Sequence, residues 1–262
     1  MDIERLPTLF LSHGSPMLAT EGSPAGRFLD GLGAALPRPR AIVVASAHFL
    51  TDRPMLGGHV QPHTVHDFGG FPEPLYQLQY AAPGSPELAE DIAGRLASAG
   101  LAAKVRPGHG LDHGVWVPLR RMYPQADIPV VPLSVNPLAD AAAHFALGQA
   151  LAGLRGEGVL VIGSGGFVHN LGDLDWQHRD VPLAPWAAAF SSWMHEKLAS
   201  HDWAPLLDWQ AQAPNARHAH PTTEHLMPLF VALGAAGADP EVEVLHRSHE
   251  LGTLALDAFA FR

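Results

Sequence analysis

The chain has 262 residues, of which 47% are hydrophobic and 16% are charged, so it can bury a substantial core and its composition excludes disorder. Its net charge of −10 argues against a nucleic-acid backbone as the main partner. It has no Cys, which excludes disulfides, thiolate metal sites and iron–sulfur clusters. The 17 His outnumber the 16 Lys and Arg combined, so a site for a soft metal would have to be built from imidazole.

Targeting and domain signals are weak throughout the chain. No apolar run approaches the roughly 18 residues of a transmembrane helix, and the N-terminus has no signal-peptide pattern. We therefore expect a cytoplasmic protein with no membrane partner. No linker or internal repeat divides the sequence, which predicts one domain over residues 1–262 and does not fix an oligomeric state.

The first predicted elements are two apolar strands, each followed closely by a histidine. Residues 6–11 predict a strand that stops just after His13, and residues 41–48 predict a strand that ends on His48. The continuous apolar run of the second strand is typical of a strand buried on both faces of a parallel or mixed sheet. Residues 52–84 are rich in Pro, Gly and His and carry little periodicity, which predicts a long loop that is either functional or contains short elements without a local signal.

The rest of the chain alternates predicted helices with predicted strands. Ser85 and Pro86 begin a helix that runs to Ala99, because Ser is a good N-cap and Gly100 stops the helix. The later predicted elements are strands at 129–135, 158–162 and 241–245, and helices at 139–154, at 185–199 and from near 222 or 223. This order predicts an α/β domain with a central, mostly parallel or mixed sheet flanked by helices.

Four histidines stand where such a sheet would bring them together. His13, His48 and His169 follow predicted strands, and His225 is expected in the first turn of the helix that starts near residue 222. Open α/β sheets place ligands beyond the carboxyl ends of their strands, and neutral imidazole is the commonest metal ligand in proteins. Each histidine alone is more simply a loop or core residue, but the set predicts one metal site.

Two further histidines carry a weaker signal. Asp112-His113-Gly114 is expected in a turn, where the imidazole could lie over a substrate or the Asp could simply cap the turn. The same two interpretations apply to His66-Asp67 in the long loop. The Gly-rich run 163–166 matches neither a P-loop nor a Gly-x-Ser-x-Gly nucleophile elbow, so a phosphate site and a serine hydrolase are poorly supported.

Six segments resemble the DOPA-dioxygenase type of class III extradiol ring-cleaving dioxygenases. They are FLSHGSPM (10–17), AIVVASAH (41–48), HDFGGFP (66–72), DHGVWVPL (112–119), GSGGFVHNL (163–171) and PTTEHLMPL (221–229). The resemblance covers nearly the whole chain in the same order. It implies a non-haem metal enzyme that uses O2 to open a catechol ring beside its hydroxyls, forming a muconate semialdehyde.

The resemblance also implies the ligands. His13 and His48 match metal ligands, and His225 matches the third ligand. His169 matches the acid/base histidine, which some members of the family are described as using as a ligand too. Protocatechuate-type relatives use a carboxylate as third ligand, so Glu224 remains the alternative to His225. Adjacent residues of a helix point about 100° apart, so only one of the two would face the metal.

The remaining expectations concern the substrate and the ion. By the resemblance His113 contacts the substrate near oxygen, and we expect His66, with Gly69 and Gly70, to shape the substrate end of the pocket. Fe(II) is expected to support activity, and Zn(II) to occupy the site readily in a purified protein, because zinc binds such ligands more tightly. The alternatives are a zinc-dependent hydrolase with His169 or Glu224 as base, and a non-catalytic binding protein.

Overall fold

The computed structural model describes residues 5–178 and 181–262, so the N-terminal residues 1–4, part of the segment that lacks a signal-peptide pattern, lie outside the described residues. Eight strands in this part of the chain form one sheet, and two more form a small separate sheet. In chain order they are β1 Thr8–Ser12, β2 Ala41–Leu50, β3 Met55–Gly57, β4 Lys104–Arg106, β5 Val130–Val135, β6 Val159–Gly165, β7 Val242–His246, β8 His249–Glu250, β9 Leu254–Ala255 and β10 Ala258–Phe261.

The large sheet is mixed, as predicted. Its strand order is β4-β3-β5-β2-β6-β1-β10-β7, and β8 pairs with β9 in the small sheet. The central strands β5, β2, β6 and β1 run parallel, whereas β10 and β7 continue the sheet antiparallel at one edge. Because β6 lies between β2 and β1, the carboxyl ends of these three strands are neighbours.

Helices cover both faces of this sheet. They are α1 Pro24–Ala35, α2 Pro86–Ser98, α3 His113–Met122, α4 Ala141–Gln149, α5 Pro185–Ala199, α6 Trp203–Leu207, α7 Trp209–Gln212, α8 Ala216–Ala219 and α9 Met227–Ala235. Alternate residues of β2 enter different cores. Ile42 and Val44 pack in the cluster that includes α1 and α3, whereas Val43 and Ala45 pack in the cluster that includes α2, α4, α5 and α9. The prediction of a strand buried on both faces is confirmed.

Three local expectations differ from the structure near the histidines. β2 continues to Leu50, and its pairing with β5 shifts register after Ser46, so His48 lies beside an irregularity rather than at the strand end. His113 is the buried first residue of α3 instead of a turn residue. α9 begins only at Met227, so His225 precedes the helix and the helical-face argument about Glu224 does not apply.

No helix among the described residues is both long and apolar enough to cross a membrane.

Candidate metal centre

Five histidines line one cavity of 370 Å³ beyond the carboxyl ends of β1, β2 and β6. They are His13, His48, His113, His169 and His225. The backbone at the end of β6 holds two of them in place. The N–H of His13 donates to the carbonyl of Gly165 (3.0 Å), and the N–H of Gly166 donates to the carbonyl of His225 (2.9 Å). The site is therefore assembled around one strand end from segments far apart in the chain.

The glycines at this strand end allow another segment of the chain to approach closely. A Cβ at Gly165 would lie 2.0 Å from the carbonyl oxygen of His225, and one at Gly163 would lie 2.0 Å from that of Pro228. Their small size admits the backbone of the 225–228 segment, which brings His225 into the site.

His13 and His48 point their ring nitrogens at each other. Their Nε2 atoms are 3.0 Å apart. Nδ1 of His13 lies 3.1 Å from Oγ of Ser164, whose hydroxyl donates to the carbonyl of Gly114. Since that hydroxyl proton is committed, we assign the proton to Nδ1 of His13, which leaves a lone pair on its Nε2. Orientation of a ligating imidazole through its other nitrogen is usual at metal sites.

Asp67 bridges His48 and His113. Its Oδ2 lies 3.0 Å from Nδ1 of His113 and 3.6 Å from Nδ1 of His48, and its Oδ1 accepts the backbone N–H of His113 at 2.9 Å. Burial opposes ionisation of Asp67, but the hydrogen bond and charge of His113 outweigh it and lower the pKa of this carboxyl to about 2. Asp67 is therefore an anion that faces two imidazoles of the cluster.

Glu224 plays a similar part for His225. Its Oε1 lies 2.9 Å from Nδ1 of His225 and accepts the hydroxyl proton of Thr222 at the same distance. The ring of His169 stacks on that of His225, with centroids 3.5 Å apart and planes 6° from parallel. Glu224 thus contacts His225 directly, whereas the sequence suggested it as an alternative to His225 for the third ligand position.

Ligand atoms among the described residues fall into two close groups. One atom each from His13, His48 and His113 lie within 4.8 Å of one another, and so do atoms of His169, Glu224 and His225. The groups adjoin, because the ring centroid of His225 lies 5.5 Å from that of His13 and 5.0 Å from that of His48.

Burial keeps four of these imidazoles neutral, those of His13, His48, His169 and His225. Burial and the neighbouring imidazoles lower the pKa values of His13 and His225 well below the usual range. Burial and His113 lower the pKa of His48 to about 3, and burial lowers the pKa of His169 to about 4. Neutral imidazoles whose second nitrogens face oxygen atoms are the donor set that Fe(II) and Zn(II) take, so the residues present fit a divalent transition metal.

His66 is placed differently from the other histidines. Its Nε2 lies 3.0 Å from the carbonyl oxygen of Leu78, and its ring packs against Phe68, Tyr76 and Trp116. It is not among the residues that line the cavity, whereas Phe71 of the same loop is. The expectation that His66 shapes the pocket can hold only indirectly, through its packing against Phe68, whose ring contacts that of His113.

Two supporting residues were not identified as such from the sequence. Ser164 lies in the Gly-rich run that matches neither a P-loop nor a nucleophile elbow, and Asp67 is the neighbour of His66 in the long loop. A serine near the end of a central parallel strand, beside histidines that follow adjacent strands, was the signal for the first. No local pattern indicates that Asp67 reaches His48 and His113, since 46 residues separate it from His113.

A family model described as the catalytic LigB subunit of aromatic ring-opening dioxygenase matches residues 7–256. The chain belongs to this family. Two relatives carry the name 4,5-DOPA dioxygenase extradiol. The one from Beta vulgaris is 44% identical over 258 residues, which cover 97% of this chain and 96% of that protein. The one from Escherichia coli (strain K12) is 40% identical over 262 residues, which cover 98% and 94%.

A crystal structure of an uncharacterized protein from Escherichia coli K12 has the same fold. It matches with a TM-score of 0.83 and 35% identity, and the match covers 98% of this chain and 100% of that one. The predicted family and fold are confirmed. The chain is an extradiol ring-cleaving dioxygenase that opens a catechol ring with O2, and the zinc hydrolase is not supported.

Proposed function

We propose that this dioxygenase uses Fe(II) to open the ring of DOPA or a related catechol beside its hydroxyls, forming a muconate semialdehyde. The observation that carries the proposal is the convergence of five histidines on one cavity, four of them with lowered pKa values that keep them neutral. The names of the Beta vulgaris and Escherichia coli relatives support DOPA as a starting substrate. We also assign residues 1–262 to one ring-cleavage domain.

We propose His13, His48 and His225 as the residues that would hold the metal. Their three ring centroids are 4.9, 5.0 and 5.5 Å apart, which is close to an equilateral triangle around one point. The Nδ1 atom of each faces an oxygen, so each Nε2 is free to turn inward. This arrangement supports the ligand set that the family resemblance implies.

His113 is the competing third ligand, because one of its nitrogens shares the close group with His13 and His48. Two observations favour His225. The rings of His48 and His113 are only 3.9 Å apart, so they pack against each other more than they face a common point. Asp67, which accepts the backbone N–H of His113, anchors that residue on the side of α3.

A ferrous ion held here would supply positions for both catechol oxygens and O2, and the electrons that activate O2. Zn(II) fits the same all-histidine set and is expected to bind in preparations exposed to it, because zinc binds such donors more tightly than Fe(II).

His169 is proposed to move the substrate proton. Burial lowers its pKa to about 4, so near pH 7 it is neutral and can accept the proton of a catechol hydroxyl. The stacking of His169 on His225 holds the His169 ring at the cavity wall. The nearby Glu224 partly opposes the effect of burial on the pKa of His169 and so favours the protonated imidazole after proton transfer. The same imidazole can return the proton later in the reaction.

His113 is proposed to donate a hydrogen bond to the substrate or to O2. The Asp67 carboxylate, 3.0 Å from Nδ1 of His113, fixes the orientation of this imidazole at the wall of the cavity. His113 can then stabilise negative charge that develops in the cavity.

Reconstitution with Fe(II) under anaerobic conditions tests the activity. On admission of air, the protein should consume O2 with L-DOPA or a simpler catechol and form a yellow product. No O2 uptake across a broad catechol panel, with iron confirmed by elemental analysis, would refute the activity.

Metal retention tests the ligands. His13→Ala, His48→Ala and His225→Ala should each lose the metal, whereas His169→Ala should keep it and slow turnover. If His113→Ala loses the metal and His225→Ala keeps it, the competing ligand set is correct. Glu224→Ala should retain metal more weakly than the wild type, because His225 loses the group that orients it.

A further inference from the structure

The cavity wall away from the histidines is almost entirely apolar. The apolar residues that line it are Pro16, Met17, Phe71, Val168, Leu171, Leu174, Trp176, Leu251, Leu254 and Leu256. The other lining residues, apart from the histidines, are Gly14, Ser15, Gly165 and Gly166. Within residues 5–178 and 181–262, no Lys, Arg, Asp or Glu side chain is among those that line the cavity.

This apolar wall continues to the protein surface. Trp176 is 74% exposed and Leu171 is 58% exposed, although both line the same cavity as the buried His13 and His225. A single exposed apolar side chain is common on protein surfaces, but these two continue an apolar cavity wall, and continuous apolar patches of this kind mark ligand-binding grooves. Here they lie at the rim of a cavity whose inner end holds the metal-binding histidines.

A wall of this kind discriminates between substituents on a catechol ring. Each methylene group that leaves water for an apolar surface improves binding about fourfold. A carboxylate or ammonium group placed against the inner part of this wall loses part of its water and gains no charged partner among the lining residues, which weakens binding. A zwitterionic amino-acid side chain, such as that of DOPA, carries both penalties.

We infer that the substrate class preferred by this chain is a catechol with an uncharged, apolar ring substituent, and that Leu171, Leu174 and Trp176 contact that substituent. The inference rests on the proposed catechol-cleaving function and narrows it. It concerns the outer part of the cavity only, since the two hydroxyls are taken up at the histidine end.

A panel of catechols with alkyl or charged ring substituents tests this preference. The panel is 4-methylcatechol, 4-ethylcatechol, 4-propylcatechol, dopamine, 3-(3,4-dihydroxyphenyl)propionate and L-DOPA. With the Fe(II) enzyme, kcat/KM from O2 uptake should rise about fourfold per methylene along the alkyl series. The value of kcat/KM should be at least about tenfold higher for 4-propylcatechol than for L-DOPA. Dissociation constants measured by calorimetry under argon, with zinc-loaded protein, should follow the same order.

A charge introduced at the rim supplies the matched comparison. Leu171→Arg should lower kcat/KM for 4-propylcatechol. It should also raise the ratio of kcat/KM for 3-(3,4-dihydroxyphenyl)propionate to kcat/KM for 4-propylcatechol by about fivefold, because the new guanidinium forms an exposed ion pair with the carboxylate of the propionate. Leu138→Arg adds the same charge at a 91% exposed leucine that does not line the cavity, and it should leave the ratio unchanged. Both positions are exposed, so both variants should fold, which thermal melting checks.

The outcomes separate this inference from the function on which it rests. If L-DOPA equals or exceeds 4-propylcatechol in both kcat/KM and affinity, the apolar preference is refuted while catechol cleavage stands. Equal ratios in Leu171→Arg and Leu138→Arg would also refute it. If no catechol is cleaved, the proposed function fails, and the calorimetric order still decides whether the apolar wall selects the ligand.

Discussion

Replacement of Ser164 by alanine is expected to weaken metal binding without removing a ligand. The Ser164 hydroxyl lies 3.1 Å from Nδ1 of His13 and donates to the carbonyl of Gly114, and the side chain is fully buried. Alanine leaves both partners in place but unbonded. The His13 ring can then rotate or take its other tautomer, either of which removes the Nε2 lone pair from the position that the proposed metal would occupy.

The size of the effect follows from the two hydrogen bonds that are lost. Each buried partner left without a bond costs about 1–2 kcal/mol, so the free energy of unfolding of the metal-free protein should fall by about 2–4 kcal/mol. Loss of a group that orients a ligating imidazole typically lowers metal affinity by about 10–100-fold.

Ser12→Ala is the matched control. The Ser12 hydroxyl donates to the carbonyl of Asp257 (2.9 Å) and accepts the N–H of Phe167 (3.1 Å), so it also makes two buried bonds, but none to a histidine. Both variants should lose similar stability in denaturant titrations of the metal-free protein. Only Ser164→Ala should lose affinity in competition with a chelator. Equal metal affinities in the two variants would refute the orienting role of Ser164.

Three further predictions concern other parts of the site and the core. Asp67→Asn should lower kcat/KM by about 10–100-fold at equal iron content. The amide still accepts the backbone N–H of His113, but it no longer supplies negative charge to the imidazoles of His48 and His113. Unchanged O2 uptake would contradict this prediction. Gly165→Ala should destabilise the fold by about 1–3 kcal/mol and weaken metal binding, because its Cβ would lie 2.0 Å from the carbonyl oxygen of His225. Gly94→Ala is the control, since a Cβ there meets nothing within 4 Å. In the same melting and metal-binding assays it should change neither stability nor metal affinity. Burial lowers the pKa of His220 to about 3, against 6.5 for the free side chain. Between these two pH values the unfolded chain binds a proton at His220 that the folded chain does not bind, so the free energy of unfolding falls as the pH drops below 6.5. By pH 5 this amounts to about 2 kcal/mol, and His220→Gln should flatten the acid side of the stability profile of the metal-free protein; an unchanged slope would exclude His220 as its source.

Much of the central sheet could be predicted because its strands carry a local signal. The apolar run of β2 requires burial on both faces, which only a covered sheet supplies, and β5 and α5 have the predicted positions within a residue or so. Short or edge elements such as β3, β4 and β10 were not predicted. Strands of three or four residues are stabilised by their neighbours in the sheet, and a local pattern does not record which neighbours those are.

Long-range contacts decided how the site is supported. Asp67 reaches His48 and His113 only because the long loop folds back over the carboxyl end of β2 and the start of α3. Glu224 and His225 looked like competitors when placed on a helix, but the chain there precedes α9, and the two side chains bond to each other. Adjacent residues outside a helix are not bound to its 100° spacing.

The sequence by itself determined the kind of domain and a site built from imidazole without cysteine, and it singled out the histidines that line the cavity, because periodicity, composition and motifs are properties of neighbouring residues. The tertiary structure decided which other groups join them. The order β2-β6-β1 places Ser164 under His13, and the glycines of β6 admit the backbone that carries His225. Segments from residues 14 to 256 build the apolar wall of the cavity. Such placement depends on strand order and close packing across the whole chain, and no local pattern encodes either.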